Sequence, residues 1–194
     1  MAITLEKRQT ISLEKTSGSS LRNVRLGLGW DAAASGFLGK LLGASGDIDL
    51  DASRIVVDAN RNPLDLVWFQ KLKSDCGNIK HTGDNRTGEG DGDDESIIVN
   101  LNGLKPNVDA LVFTVNSFTG QNFSKVKNAY CRIVDADTDK ELARINLSDQ
   151  GNHTGLIMAY LKRDSSGWNF TAVGNATRGR TVQDLKNEAA GAIA

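Results

Sequence analysis

The stretch Asp47–Phe69, DIDLDASRIVVDANRNPLDLVWF, decides the fold class. Asp47-Ile48-Asp49-Leu50-Asp51 alternates with period two, which puts three carboxylates on one face of a strand and Ile48 and Leu50 on the other. The alternation runs to Asp58 and resumes over Leu64–Phe69. Between the two runs stands Asn60-Arg61-Asn62-Pro63, residues that make turns.

The same period recurs on both sides. Val24-Arg25-Leu26-Gly27-Leu28 alternates. Ile3–Lys7 and Ile11–Lys15 are near copies, ITLEK and ISLEK, which predicts a β-hairpin near the N-terminus. Further strands are expected over Ser96–Leu101, Ala110–Val115, Ala129–Val134, Glu141–Leu147, Gly155–Leu161 and Trp168–Val173. About eleven short strands separated by turn signals predict an all-β fold, a two-sheet β-sandwich. A few short helices complete it: one or two turns at Phe37–Leu42, another at Gln121–Val126, and a C-terminal helix over Val182–Ala190 with Thr181 as N-cap. No linker divides residues 1–194, so one domain is expected.

Composition sets the outer limits. With 39% hydrophobic and 24% charged residues the chain is globular, not disordered. A formal net charge of −1 gives no overall attraction to nucleic acid. Cys76 and Cys131 have no zinc-ligand spacing and are expected to be free thiols in a reducing compartment. The start, Met1–Lys7, lacks the pattern of a signal peptide, and no apolar run approaches the ~20 residues of a membrane span. A cytoplasmic location is expected.

The chemistry concentrates in His81–Glu95, HTGDNRTGEGDGDDE, with six acidic side chains, four glycines and Arg86 as the one formal positive charge. Six carboxylates so close repel one another. The glycines let the chain curl and aim carbonyls inward. Carboxylates, an amide, a hydroxyl and carbonyls are all oxygen donors, the ligand set that Ca²⁺ takes in flexible geometry; Mg²⁺ is the second choice. A solvated, disordered loop is the alternative reading. Against it, the charges alternate with glycines, and the loop runs directly into the apolar Ile97-Ile98-Val99.

Asp49 and Asp51 offer more carboxylates from a strand face, where stacked like charges are unfavourable without a cation or a basic partner. An EF-hand is excluded, because Ala52 stands where its loop needs glycine. Asp31 ends the strand that carries Trp30. The Gly-rich loop lacks the Gly-Lys-Ser/Thr ending of a phosphate cradle. Cys76 with His81 has no orienting partner for a nucleophile. His153 reads as an ordinary loop residue, and Trp30, Trp68 and Trp168 as packing residues.

On GLGWD (Gly27–Asp31), DLDAS (Asp49–Ser53) and HTGDNRTGEGDGDDE (His81–Glu95), the chain resembles the TerD family of bacterial tellurium-resistance and stress proteins. The likeness extends over nearly the whole chain. It implies a β-sandwich that binds calcium at neighbouring sites formed by converging loops. Gly83, Asp84, Asn85, Thr87, Gly88, Gly90, Gly92, Asp93, Asp94 and Glu95 fit the family pattern, whereas Asp31–Gly46 is longer than expected and its Phe37–Leu42 stretch unusually apolar. The expected ligands are Asp31, Asp49, Asp51, Asp84, Asn85, Thr87, Gly88, Gly90, Asp93, Asp94 and Glu95, holding two neighbouring Ca²⁺ ions.

The function expected is a non-enzymatic, calcium-binding module of the tellurium-resistance and stress-response system. Its partners would be proteins of that system, met at the inner face of the membrane, and no nucleic acid. One rival reading is a metal-dependent hydrolase, for which the sequence offers carboxylates without a convincing acid, base or nucleophile. Another is calcium-bridged binding of membrane phosphates, which the apolar Phe37–Leu42 loop would favour.

Overall fold

Asp58 closes the turn expected after the long alternating run. Its Oδ1 accepts the N–H groups of Asn60 at 2.9 Å and Asn62 at 2.8 Å, while Arg61 takes a φ of 65°. The turn joins β4 (Leu50–Val57) to β5 (Pro63–Val67), antiparallel, with Arg54 opposite Val67. Pro63 is tolerated because β5 is an edge strand, where a missing N–H leaves no ladder bond unmade. The structure, a computed structural model, describes residues 2–32, 49–83, 85, 92–147 and 151–194.

Two six-stranded sheets form the sandwich. The first runs β1 (Ile3–Thr4), β10 (Lys140–Asn146), β9 (Val126–Asp135), β3 (Asn23–Ala32), β7 (Glu95–Asn100), β6 (Ile79–His81). The second runs β2 (Thr10–Ser12), β12 (Gly167–Thr177), β11 (Gly155–Asp164), β8 (Ala110–Ser117), β4, β5. Leu26, Leu28, Trp30, Ile97 and Ile133 of the first sheet and Leu50, Leu111, Phe113, Leu161 and Phe170 of the second belong to one apolar core. Trp30, Trp68 and Trp168 are all buried.

The near copies ITLEK and ISLEK do not pair with each other. Ile3–Thr4 adds to β10 in parallel, and Thr10–Ser12 adds to β12 in the opposite sheet. Cap chemistry explains the difference. Ser12 accepts the Lys15 N–H and starts a short helix, α1 (Leu13–Ser17), which Gly18 ends at a φ of 81°. The second copy is therefore half strand and half helix.

The C-terminal helix α2 (Val182–Gly191) forms as expected. Thr181 caps it, and the Asp184 carboxylate accepts the Thr181 N–H at 3.0 Å, a reciprocal capping box. Val182, Ala189 and Ala190 form a second apolar cluster with Ile55, Val57 and Val112 on the outer face of the second sheet. Strand β4 thus has the core on one side and α2 on the other, and all eight of its residues are buried. Gln121–Val126 forms only a single 3₁₀ turn, at Phe123–Lys125. Phe37–Leu42 lies outside the described residues. Among these residues no helix is long and apolar enough to cross a membrane.

Candidate metal centre

The acidic loop is the connection of a hairpin. β6 and β7 pair antiparallel with His81 opposite Ile97, and Thr82 extends the pairing with its N–H on the Ser96 carbonyl at 2.9 Å. From this base two side chains at the C-terminal end of the loop reach separate elements. Asp94 Oδ2 accepts the Trp30 N–H at 2.9 Å, which ties the loop to the end of β3. Glu95 Oε2 accepts the Ala52 N–H at 2.6 Å, which ties it to the start of β4. Asn85, on the ascending side, donates its side-chain amide to Asp94 Oδ1 at 3.0 Å and its N–H to Glu95 Oε1 at 3.1 Å. Asp31 follows Trp30 and is exposed, with Oδ2 accepting from Asn128 at 2.7 Å. Asp49 and Asp51 lie just before Ala52 and are buried. The three sequence segments thus meet at one end of the sandwich.

Glu95 and His81 close a sheet edge. β5 pairs with β4 only as far as Arg54, so on that side the backbone of Ala52 has no strand, although β8 lies along its other side. Side chains from the opposite sheet replace the missing strand: Glu95 takes the Ala52 N–H, and the Ala52 carbonyl lies 3.0 Å from His81 Nε2. His81 Nδ1 accepts the Gly83 N–H at 3.1 Å, so the proton sits on Nε2 and is donated. The same Nε2 is 3.3 Å from Glu95 Oε2. His81 is therefore a structural partner of Glu95, a role its position in the sequence does not announce.

Asp93 points elsewhere. Its carboxylate is held by Arg132 Nε at 2.7 Å and lies 3.6 Å from Arg25 Nε. Arg132 also reaches Glu141, which binds Arg144, whose guanidinium lies 4.0 Å above the Tyr130 ring. The Tyr130 hydroxyl donates to the Gly92 carbonyl at 2.6 Å. This ladder fastens Gly92 and Asp93 to the first sheet. The hydrogen bond that Arg132 donates to Asp93, helped by the one it donates to Glu141 and opposed by burial, raises Arg132 above its ordinary value; Arg144 followed by Arg132 lowers Glu141, against its partial burial.

Gly27 and Gly29 make room for the ladder. A Cβ at Gly27 would run into the Asp93 carboxylate, and one at Gly29 into the Tyr130 ring. Glycine inside a strand marks such close approaches. Gly27→Ala is expected to cost about 1–3 kcal/mol by overpacking. The same change in an Asp93→Ala background should cost less than half as much. Chemical denaturation of the four proteins of this cycle checks it, and additive costs would reject the contact as the cause.

The electrostatics favour a cation. Burial raises Asp94 above the ordinary carboxylate range; the Trp30 N–H opposes this, and the nearby charges of Asp31 and Asp93 reinforce it. A raised carboxylate costs folding free energy once pH exceeds its unfolded value, and a bound cation would remove that cost. Among the described residues no three acidic, histidine or cysteine side chains converge closely enough to hold an ion alone. Asp84, Thr87, Gly88 and Gly90 lie outside the described residues. The donors brought together are oxygen-rich and include neither thiolate nor free imidazole, which fits Ca²⁺ better than zinc or copper.

Residues 1–188 match the model of the TerD domain. The chain is 50% identical to the tellurium resistance protein TerZ of Serratia marcescens, over 98% of each chain. It is 42% identical to the stress response protein SCP2 of Bacillus subtilis (strain 168), over 95% of this chain and 98% of that one. A crystal structure of a homologue of the telluride resistance protein TerD from Streptomyces coelicolor A3(2) superposes with a TM-score of 0.71 at 22% identity, covering 88% of this chain and 98% of that one. The chain belongs to the TerD family of tellurium-resistance and stress-response proteins.

Proposed function

We propose that the chain is a non-enzymatic, calcium-dependent binding module of the tellurium-resistance and stress response, working in the cytoplasm with protein partners of that system. The observation that carries the reading is the convergence at Asp94. The end of β3, the start of β4 and both sides of the acidic loop are drawn to one place by hydrogen bonds to adjacent carboxylates, with Asp31 and Asp93 adding like charge. Asp94, Asn85, Asp31, Asp49 and Asp51 would hold the ion or ions together with Asp84, Thr87, Gly88 and Gly90. Bound calcium would neutralise the carboxylates and fix the loop. Asp93 and Glu95 support the site from outside, because arginines hold the first and backbone donors the second.

Thermal melts in calcium and in chelator test this. A ligand at 100 times its dissociation constant adds about 2.7 kcal/mol, which for a chain of this size raises the midpoint by roughly 5–10 °C. Asp94→Ala is expected to weaken calcium binding at least about tenfold, or ~1.4 kcal/mol, by calorimetry. Asp93→Ala should lower stability in chelator more than it lowers affinity. Superimposable melts, with and without calcium, would sink the proposal.

A further inference from the structure

Asn116 is buried in the second sheet with half of its amide unused. It stands near the end of β8, is 0% exposed, and its Oδ1 accepts no hydrogen bond from the described residues. Buried amide oxygens are normally paired, and leaving one unpaired costs folding free energy. The other half of the amide is fixed, because Nδ2 donates to the Gly179 carbonyl at 2.9 Å. A carbonyl can only accept, so this bond tells the nitrogen of the amide from its oxygen.

The direction of the oxygen follows from the register. Asn116 pairs with Gly155 of β11 on one side and with Asp51 of β4 on the other. All three lie on the outer face of the sheet, where Val112, Ile157 and Ile55 pack under α2. A Cβ at Gly155 would sit 2.9 Å from Asn116 Nδ2 and 3.2 Å from the Gly179 carbonyl, so the nitrogen leans toward β11. The oxygen, on the other arm of the amide, is left on the β4 side, where the buried Asp51 stands in register. Paired residues of an antiparallel ladder have Cβ atoms ~4.5–5.5 Å apart, so an ion at the Asp51 carboxylate comes within reach of this oxygen.

We propose that Asn116 Oδ1 is a further ligand of the calcium at Asp51, supplied by a fourth segment of the chain; the assignment rests on the calcium-binding function proposed above. A neutral amide oxygen adds a ligand without adding to the repulsion among the carboxylates. It also favours Ca²⁺, which takes roughly six to eight oxygens, over Mg²⁺, which keeps several waters in a tight octahedron. The bond from Nδ2 to Gly179 orients the amide before the ion arrives, the service that a hydrogen-bonded support gives a metal ligand. Thr154 Oγ1 donates to the same carbonyl at 3.3 Å, so the support is itself held.

The test is calorimetric titration of the whole chain with calcium and with magnesium. Asn116→Ala is expected to weaken calcium at least about tenfold and magnesium less than about threefold. Asn116→Asp keeps the oxygen and should bind calcium as tightly as the unaltered chain, or more tightly. Terbium in place of calcium gives a second readout. Its luminescence lifetimes in light and heavy water count the bound waters, and Asn116→Ala should gain about one. In the unaltered protein the side-chain carbonyl carbon of Asn116 should shift downfield in NMR spectra as calcium is added. That of Asn169, which pairs with Lys162 at the far end of β11 from Gly155, should stay in place. Calcium binding that leaves the Asn116 carbon unmoved overturns the assignment, whether or not the variants fold. So does an unchanged calcium affinity in Asn116→Ala, and both results leave the calcium function standing. An unaltered chain that binds no calcium removes that function, and this ligand with it.

Discussion

Glu95→Ala is expected to cost about 2–4 kcal/mol of folding free energy and to lower the melting midpoint by roughly 5–15 °C, even in chelator. The side chain is buried, and its oxygens take the N–H groups of Ala52 and Asn85 and face His81 Nε2. Deleting it leaves buried donors unsatisfied, at about 1–3 kcal/mol each, and part of this is recovered because a carboxylate no longer has to be desolvated. Glu95→Gln keeps one acceptor oxygen and should lose about half as much. Adding His81→Ala to Glu95→Ala should cost less than His81→Ala alone, because both side chains serve the same open edge at Ala52. Working in chelator separates this role from metal ligation. Calorimetric loss below about 1 kcal/mol would show that the β4 edge is satisfied some other way.

The strands were legible where one face meets water. Asn60–Pro63 announced its turn because turn chemistry is local, though the capping role of Asp58 went unread, and Thr181 announced α2 because capping is local. The N-terminal copies misled for a physical reason. Alternation says that a segment is a strand, but its partner is chosen by the tertiary structure, and Ser12 diverts the second copy into a helix. Strand β4 shows another limit. Its alternation at Asp47–Asp51 predicted an apolar face and a charged one. Further along, Ile55 and Val57 pack under α2 while Val56 enters the core, so no face remains for water. A distant helix erases the pattern, and nothing local to β4 reports it.

The site was legible as composition and less so as roles. Neighbours in the chain, Asp93, Asp94 and Glu95 look equivalent in sequence, yet only Glu95 lies within β7, and the three side chains leave in different directions. Asp93 meets arginines on the first sheet, Asp94 meets the end of β3, and Glu95 meets the start of β4. Gly27 and Gly29 carried a readable signal, since two glycines at alternate positions of a strand imply that something lies close above it. What lies there comes from Asp93 and Tyr130, far away in sequence, and only the sheet register brings them together.

An isolated peptide spanning His81–Glu95 is expected to bind calcium at least about 100-fold more weakly than the intact chain. Within the fold, Gly92 is fixed by Tyr130, Asp93 by Arg132, Asp94 by the Trp30 N–H, and Asn85 by Asp94 and Glu95. A free peptide must order these residues itself, at about 1–2 kcal/mol for each backbone unit. Ordering even three costs roughly 3–6 kcal/mol, or more than a hundredfold in affinity at ~1.4 kcal/mol per decade. The peptide also lacks Asp31, Asp49 and Asp51, which the fold brings to the loop through Trp30 and Ala52. Calorimetric titration of peptide and chain under the same conditions measures the ratio, and Asp49→Ala in the whole chain assigns the share of β4. Equal affinities would make the loop self-sufficient and reduce the β3 and β4 carboxylates to bystanders. A weak peptide with an unaffected Asp49→Ala chain would leave the fold as the organiser of the loop while removing Asp49 from the ligands. A weak peptide with an impaired variant is the result that a site assembled from three segments requires.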